Sequence, residues 1–547
     1  MPAGSAGDSP QPPRWSWQDR ARGSITPGTL LDPGAEPVDG IEAFPTVYVP
    51  HRLLVNGGEV DALLSDTIER VARAAAAFGW GVAPQELDGT PLAPESRVPA
   101  AEVAGAPYVL RVQLTTPDEL ERGVSPSLPD AWRVLQRIRR DALVEAFGDG
   151  RADPSRIGDV LRAAGVDRVS LDHVLAIDPI GLNPYTRTNP YTRTNPFTRT
   201  NPYTRTNPVG EYAEAGSGGR QPVAWVGPGP VRTPIKRGRR RATVAVLDTG
   251  AGEHTWLPDD VVDRDPQVDG RSIGLTDDAD PEVYPDLYGP LDGEIDPVSG
   301  HGTFIAGIIR QTAPDADILA IRVANALGIV EESHLIRVIT DLLVLQYRYR
   351  HRRKGGRPID VLSMSLGYYH ETPQDGLYSR DLYDLLHALR RLGTTVVVSA
   401  GNDATDRPTF PASLWAWPGS DNGIDPDPDA AEHYSVGALN PNCDTTALFS
   451  NVGPWVRTWA LGAAIVSILP AFSGGLQPSA RDDKYELRRL TIGPEDFRGG
   501  FAVWSGTSFA APLVAGEVAA VLGDRPNAAE PAPDAISAAR TARAEGT

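Results

Sequence analysis

Between residues 242 and 399 four short apolar runs, 242–247, 318–323, 359–364 and 394–399, alternate with segments near 301–311, 331–350 and 377–392 that read as helices. Strands that are apolar throughout need cover on both faces. Helices placed between them in sequence supply that cover, and a crossover long enough to hold a helix makes neighbouring strands parallel. The second half of the chain is therefore expected to be an α/β unit on a mostly parallel sheet. Such sheets gather their ligands at the carboxyl ends of the strands, so the chemistry is expected just after each run.

The first half has a different texture. Residues 1–40 are rich in Pro, Gly, Ser and Ala and hold too little apolar surface to offset the entropy of ordering, which predicts a disordered arm. Over 41–178 the pattern predicts a small α+β domain. Thr46–Val49, Tyr108–Leu114 and Val166–Val174 read as strands; one helix runs from Val60 to Phe78 before Gly79, and a second enters at Pro129-Asp130 and ends at Gly148. A Pro-rich linker is expected over 179–235, the α/β domain over 236–523 and a tail over 524–547.

The linker carries four tandem copies of Asn-Pro-aromatic-Thr-Arg-Thr at 183–206, closed by Asn207-Pro208. A proline every six residues prevents helix and central strand and favours extended chain. In that form Tyr185, Tyr191, Phe197 and Tyr203 project to one side. Three readings stay open: a stiff spacer, a repeated docking motif acting by multivalency, or a stacking platform for single-stranded nucleic acid. Lys236–Arg241, next to the first apolar run, reads as a solvated flank or a processing site.

Charge narrows these choices. With 71 acidic against 52 basic residues the formal charge is −19, which argues against nucleic acid and acidic membranes as partners. The opening MPAGSAGDSPQPPRW lacks the basic start and apolar stretch of a secretory leader, and no window has the ~20 apolar residues of a membrane span, so the protein is expected to be cytoplasmic. Cys443 is the single cysteine, which excludes an intrachain disulfide and any site of several thiolates.

Four segments carry the chemistry. Thr243–Leu247 delivers Asp248-Thr249-Gly250, and no second Asp-Thr-Gly or Asp-Ser-Gly follows to form an aspartic dyad. Ser299-Gly300-His301-Gly302-Thr303 opens an apolar helix, with His301 set between glycines that allow a close backbone approach. Ser399-Ala400-Gly401-Asn402 follows a strand and offers a side-chain amide. Ser505-Gly506-Thr507-Ser508-Phe509-Ala510-Ala511-Pro512 begins another helix. There a serine is ordinarily a cap, but free N–H groups and the positive dipole end would also stabilise an oxyanion.

In the order Asp, His, Asn, Ser these segments resemble the subtilisin-like serine peptidases over about 236–523, an order that separates that family from chymotrypsin-like enzymes and α/β-hydrolases. The resemblance implies a subtilisin-like three-layer α/β/α fold and a serine endopeptidase. It implies Ser508 as nucleophile, His301 as general base and acid, Asp248 as its orienting partner, and Asn402 with the Ser508 N–H as the oxyanion hole. Ser365-Leu366-Gly367 is similar to the family's segment that pairs with extended substrate. No cofactor is required and no metal takes part in the chemistry. Calcium stays open, since the family often binds it and Asp277, Asp278, Asp280, Glu282, Asp286, Asp292, Glu294 and Asp296 crowd the approach to His301; plain acidic surface is the simpler reading.

Departures from the family pattern set further expectations. Tyr368-Tyr369 stands where a second small residue is usual, which would narrow or reshape the substrate cleft. Residues 471–500 read as an insertion, either a lid or surface decoration. The 41–178 domain reads either as an inhibitory, chaperone-like prodomain or as a regulatory sensor kept in the working enzyme. A second functional reading is a multivalent binding protein that captures a partner through 41–208, with secondary or latent peptidase activity.

Overall fold

The computed structural model describes residues 28–527 apart from 57–60, 93–102, 104–105, 117–126, 149–152, 178–208, 214, 289–292, 373–379 and 421. The hexapeptide repeats and most of the expected N-terminal arm and C-terminal tail lie outside the described residues.

An antiparallel sheet comes first. Val47–Asn56 (β1) leads to helix α1 (Asp61–Ala76), then to β2 (Gly81–Gln85) and β3 (Val109–Thr115). Asp130 accepts the Trp132 amide at 2.9 Å to start α2 (Ala131–Phe147), and Gly148 ends it at φ 62°. After α3 (Pro154–Ala163) comes β4 (Val169–Ala176). The pattern does not foresee β2, because Pro84 interrupts it; β2 is the edge strand of this sheet, where a missing N–H does no harm. One face is sealed by α1 and α2 through Trp132, Leu135, Ile138, Leu53, Val55 and Leu110.

The second half builds β5 (Thr243–Asp248), β6 (Val262–Asp263), α4 (His301–Thr312), β7 (Asp317–Arg322), β8 (Ile329–Glu331), α5 (Glu332–Arg350), β9 (Val361–Met364), α6 (Asp381–Arg391), β10 (Thr395–Ser399), β11 (His433–Leu439), β12 (Thr458–Leu461), β13 (Ile465–Ile468), β14 (Phe501–Trp504) and α7 (Thr507–Leu522). Seven of these strands form one parallel sheet in the order β12-β11-β10-β9-β5-β7-β6. Its strands are buried on both faces, as their apolar runs require. Ala245, Leu247, Leu362 and Val396 face α5 and α6, whereas Val244, Val246, Val361 and Val397 face α4 and α7. The chain leaves β5 for β7 on one side and returns to β9 on the other, so the switch point lies between β5 and β9. Asp248 ends β5, and Ser365 follows β9.

The two sheets are joined. β8, from the second half, adds antiparallel to β4, with Val330 opposite Leu175. Leu54, Val109, Leu175 and Ile177 share one apolar cluster with Leu335, Ile339 and Leu382 of α5 and α6. The open face of the antiparallel sheet is thus covered by the other half of the chain.

From residue 209 the chain does not behave as a spacer. Tyr212 donates to Asn440 Oδ1 at 2.8 Å, and Gln221–Pro222 pairs with β14. Arg240 is neither a solvated flank nor an open cleavage site. It is held by both oxygens of buried Asp360, at 2.6 and 2.8 Å, and by the Tyr349 hydroxyl.

Candidate active site

The β5 strand ends in a turn whose first side chain, Asp248, is fully buried. Asp248 Oδ1 accepts the Thr249 N–H at 2.8 Å and lies 2.8 Å from His301 Nδ1. This contact is possible because α4 starts against the Asp248 turn, where a Cβ on Gly302 would come within 2.1 Å of the Gly250 carbonyl oxygen. Gly302 therefore admits no side chain without moving the histidine from the aspartate. Trp504 and Phe509 pack around the imidazole, with ring centroids 5.5 and 5.2 Å away.

Ser508 is the second residue of α7, where backbone N–H groups have no intrahelical acceptor. Pro512, four residues on, has no N–H to give the Ser508 carbonyl, which instead accepts the Ser365 hydroxyl at 3.0 Å. The motif's proline thereby ties the serine to the end of β9. Asn402, three residues past β10, accepts the Thr507 N–H at 2.8 Å and the Thr507 hydroxyl at 2.9 Å through Oδ1. An N–H can only donate, so the amide orientation is fixed by chemistry. His301, Asn402 and Ser508 line one small cavity with Val298, Gly506 and Phe509. The four motifs, far apart in sequence, thus meet at the carboxyl ends of the strands.

Leu366 is buried in the core and Gly367 is half-buried, and the chain lying along Gly367 is the protein's own. Ala176 and Gly367 exchange both backbone hydrogen bonds at 3.0 Å, and the Ile177 N–H reaches the Gly328 oxygen at 2.7 Å. Residues 174–177 therefore run between β8 and Gly367 as an inserted strand. The Tyr368 hydroxyl donates to Glu332 at 3.0 Å, and the Tyr369 hydroxyl donates to Asp403 at 2.6 Å. Within the expected insertion, Arg481–Lys484 and Leu487–Leu490 pair as a two-stranded hairpin, with Leu487 and Leu490 exposed.

The acidic approach to His301 is surface in part, with Asp277, Asp278 and Glu294 exposed, but two of its carboxylates are buried. Glu282 is 3% exposed and Asp296 7%. Burial raises Asp296 to about 7 against the hydrogen bonds it accepts from the Leu287 and Tyr288 amides. Asp280 accepts from the Glu282 amide, Asp277 from Ala279, and Asp286 from Gly293. Among the described residues none of this run joins a cluster of three His, Cys, Asp or Glu side chains able to hold a metal.

Sequence reasoning missed two residues. Glu282 was one carboxylate among eight and carried no signal of burial. Arg220 lies in what reads as linker, yet its guanidinium sits 5.1 Å from the Trp504 ring centroid and donates to Ile295 and Asp296 carbonyls at 2.9 and 3.0 Å. It supports the loop that ends at His301.

Comparison with known proteins agrees with this geometry. The subtilase family profile matches residues 239–544. The chain is 29% identical over 313 residues to the serine protease AprX of Bacillus subtilis, covering 52% of this chain and 58% of that protein. It is 28% identical over 294 residues to an intracellular serine protease of Paenibacillus polymyxa, 52% of this chain and 67% of that one. A subtilisin-like protease 5 of Arthroderma benhamiae is 29% identical over 291 residues, with 56% of its length covered. The chain thus spans about three fifths of these relatives. No helix among the described residues is long and apolar enough to cross a membrane. With a profile match over more than half its length, centred on the strands and helices that carry the site, the chain belongs to the subtilase family of serine peptidases.

Proposed function

We propose that this protein is a serine endopeptidase whose active site is Asp248, His301 and Ser508. The observation that carries the reading is the pairing of His301 Nδ1 with Asp248 beside a cavity that His301, Asn402 and Ser508 line together. Ser508 Oγ attacks the peptide carbonyl, and His301 Nε2 takes its proton and returns it to the leaving amine. Asp248 fixes the tautomer and stabilises the charged ring. The Ser508 N–H and the Asn402 amide receive the oxyanion. The acyl-enzyme is then hydrolysed by the same groups in reverse order.

Substrate binds, in this proposal, as a strand along Gly367 and Gly328. The protein's own residues 174–177 occupy that track. Region 41–178 therefore acts as a restraint, holding a substrate-like strand where substrate must lie. The proposal also takes the protein as intracellular, as the name of the Paenibacillus relative says of that enzyme. The hexapeptide repeats carry no part of this reading.

Asn402→Ala tests the oxyanion assignment. Losing one such donor lowers turnover by ~10²–10³, a magnitude that comes from this same family, with little change in KM. The measurement is steady-state hydrolysis of a short peptide; wild-type turnover in the variant removes Asn402 from the oxyanion hole.

A further inference from the structure

Glu282 has no counterpart among the proposed catalytic groups, yet it touches both segments that hold them. Its Oε1 accepts the Thr249 hydroxyl and, at 3.0 Å, the Gly302 N–H. Its Oε2 accepts the Thr303 hydroxyl at 2.5 Å. Thr249 follows Asp248, and Gly302 and Thr303 follow His301. The bracing is reciprocal, because the Thr249 oxygen accepts the Gly302 N–H at 2.8 Å and the Thr303 oxygen accepts the Gly252 N–H at 2.6 Å. One buried carboxylate thus closes a ring of hydrogen bonds between the turn that ends β5 and the first turn of α4.

We propose that Glu282 is the positioning residue that locks the Asp248 turn to the His301 helix and decides which acceptor the Thr249 hydroxyl serves. The proposal rests on the triad reading above. Thr249 has one hydroxyl proton and two acceptors in reach, Glu282 and, at 3.1 Å, Asp248 Oδ1. With Glu282 ionised, that proton goes to Glu282. With Glu282 neutral, its own O–H donates to the Thr249 oxygen, and the Thr249 proton turns to Asp248. The ring stays closed in both states, and Asp248 gains one hydrogen bond in the second.

The surroundings put this exchange in a working range. Burial raises the Glu282 carboxyl to about 7, opposed by the bonds from Thr249 and Thr303 and reinforced by Asp280 on its own loop and Asp248 on β5. Glu282 is therefore largely neutral below about 7 and ionised above it.

The test compares Glu282→Ala and Glu282→Gln with wild type and Ser508→Ala. All are prepared as the full chain, and turnover is expressed per serine titrated with a phosphonate probe, or per mole of protein for Ser508→Ala. Misplacing a catalytic pair by a fraction of an ångström is worth ~10- to 10²-fold, so Glu282→Ala is expected to lose that much kcat with KM within about twofold. Glu282→Gln keeps the shape and one acceptor oxygen, and is expected to recover to within about fivefold of wild type. Its acid limb of kcat/KM should then follow a single ionisation, where wild type shows a second step near 7. Wild-type kcat per titrated site in Glu282→Ala, or an unchanged pH profile in Glu282→Gln, overturns the proposal. Should the alanine variant fail to fold, the glutamine profile decides alone. Hydrolysis by Ser508→Ala would instead overturn the triad reading beneath it.

Discussion

Ser508→Ala is expected to lose hydrolysis by ~10⁶ in turnover, a magnitude that comes from this same family, while remaining folded and at full length. The substitution removes one oxygen from a side chain 3% exposed in the first turn of α7. The contacts that hold this turn are made by the backbone and by neighbours. The Ser508 carbonyl accepts Ser365, and Thr507 binds Asn402, whichever side chain stands at 508. Stability should therefore shift by no more than ~1 kcal/mol. Residual rate, ~10³–10⁴ above water, would come from the oxyanion donors and substrate binding alone.

Intact mass and phosphonate labelling of wild type and variant, handled identically, read this result without knowledge of the natural substrate. A shortened, labelled wild type beside a full-length, unlabelled variant means that the protein cuts itself, and the fragment mass gives the position of the cut. A full-length wild type that labels means that region 41–178 stays in the working enzyme. Equal peptide hydrolysis by both proteins removes Ser508 from the mechanism.

The half of the chain most legible from sequence is the half whose strands are buried on both faces. A run such as Thr395–Ser399, with Val396, Val397 and Val398 fully buried, declares a central parallel strand by composition alone. The site was legible for a related reason: each motif follows such a run, and close backbone approach at Gly302 leaves only glycine there. What sequence did not carry is contact between distant segments. The three residues of β8 are too short to show any period, yet they complete the antiparallel sheet. Arg220 and Glu282 look like any surface charge until the chain folds over them. The same holds for His173, which stands in the middle of a strand and gave no functional signal.

His173→Ala is expected to loosen the docking of residues 174–177 along Gly367 by ~10²–10⁴-fold. His173 is fully buried on β4 between carboxylates of the other half of the chain, with Nδ1 2.6 Å from Glu332 and Nε2 2.8 Å from Glu371. Tyr368 stacks on the ring at 4.5 Å and donates to Glu332, while Arg139 of α2 lies 3.7 Å from Glu371 and donates to Thr372. Beside them, Asp172 accepts the Ser333 N–H and hydroxyl at 2.9 Å, and Arg52 pairs with Asp172 and Glu331. His370 adds no charge, because burial pushes it down to about 3. Burial alone would also lower His173, but Glu332 and Glu371 outweigh it and raise the ring to about 10, so it is an imidazolium donating from both nitrogens. Removing it strands two buried carboxylates, a loss of ~3–5 kcal/mol, which is ~10²–10⁴ in an opening equilibrium. The readout is hydrogen exchange of the Gly367 amide, whose acceptor is the Ala176 oxygen, measured in the uncut Ser508→Ala background. The sign with pH follows from a raised value: the contribution of His173 to docking is complete below about 6.5 and falls away as pH rises through about 10. After correction for intrinsic exchange, protection at Gly367 should therefore decline between neutral and alkaline pH in the parent protein and stay flat in the His173 variant. Equal protection in the two proteins at neutral pH would show that apolar contacts, not this ion cluster, hold residues 174–177 in place.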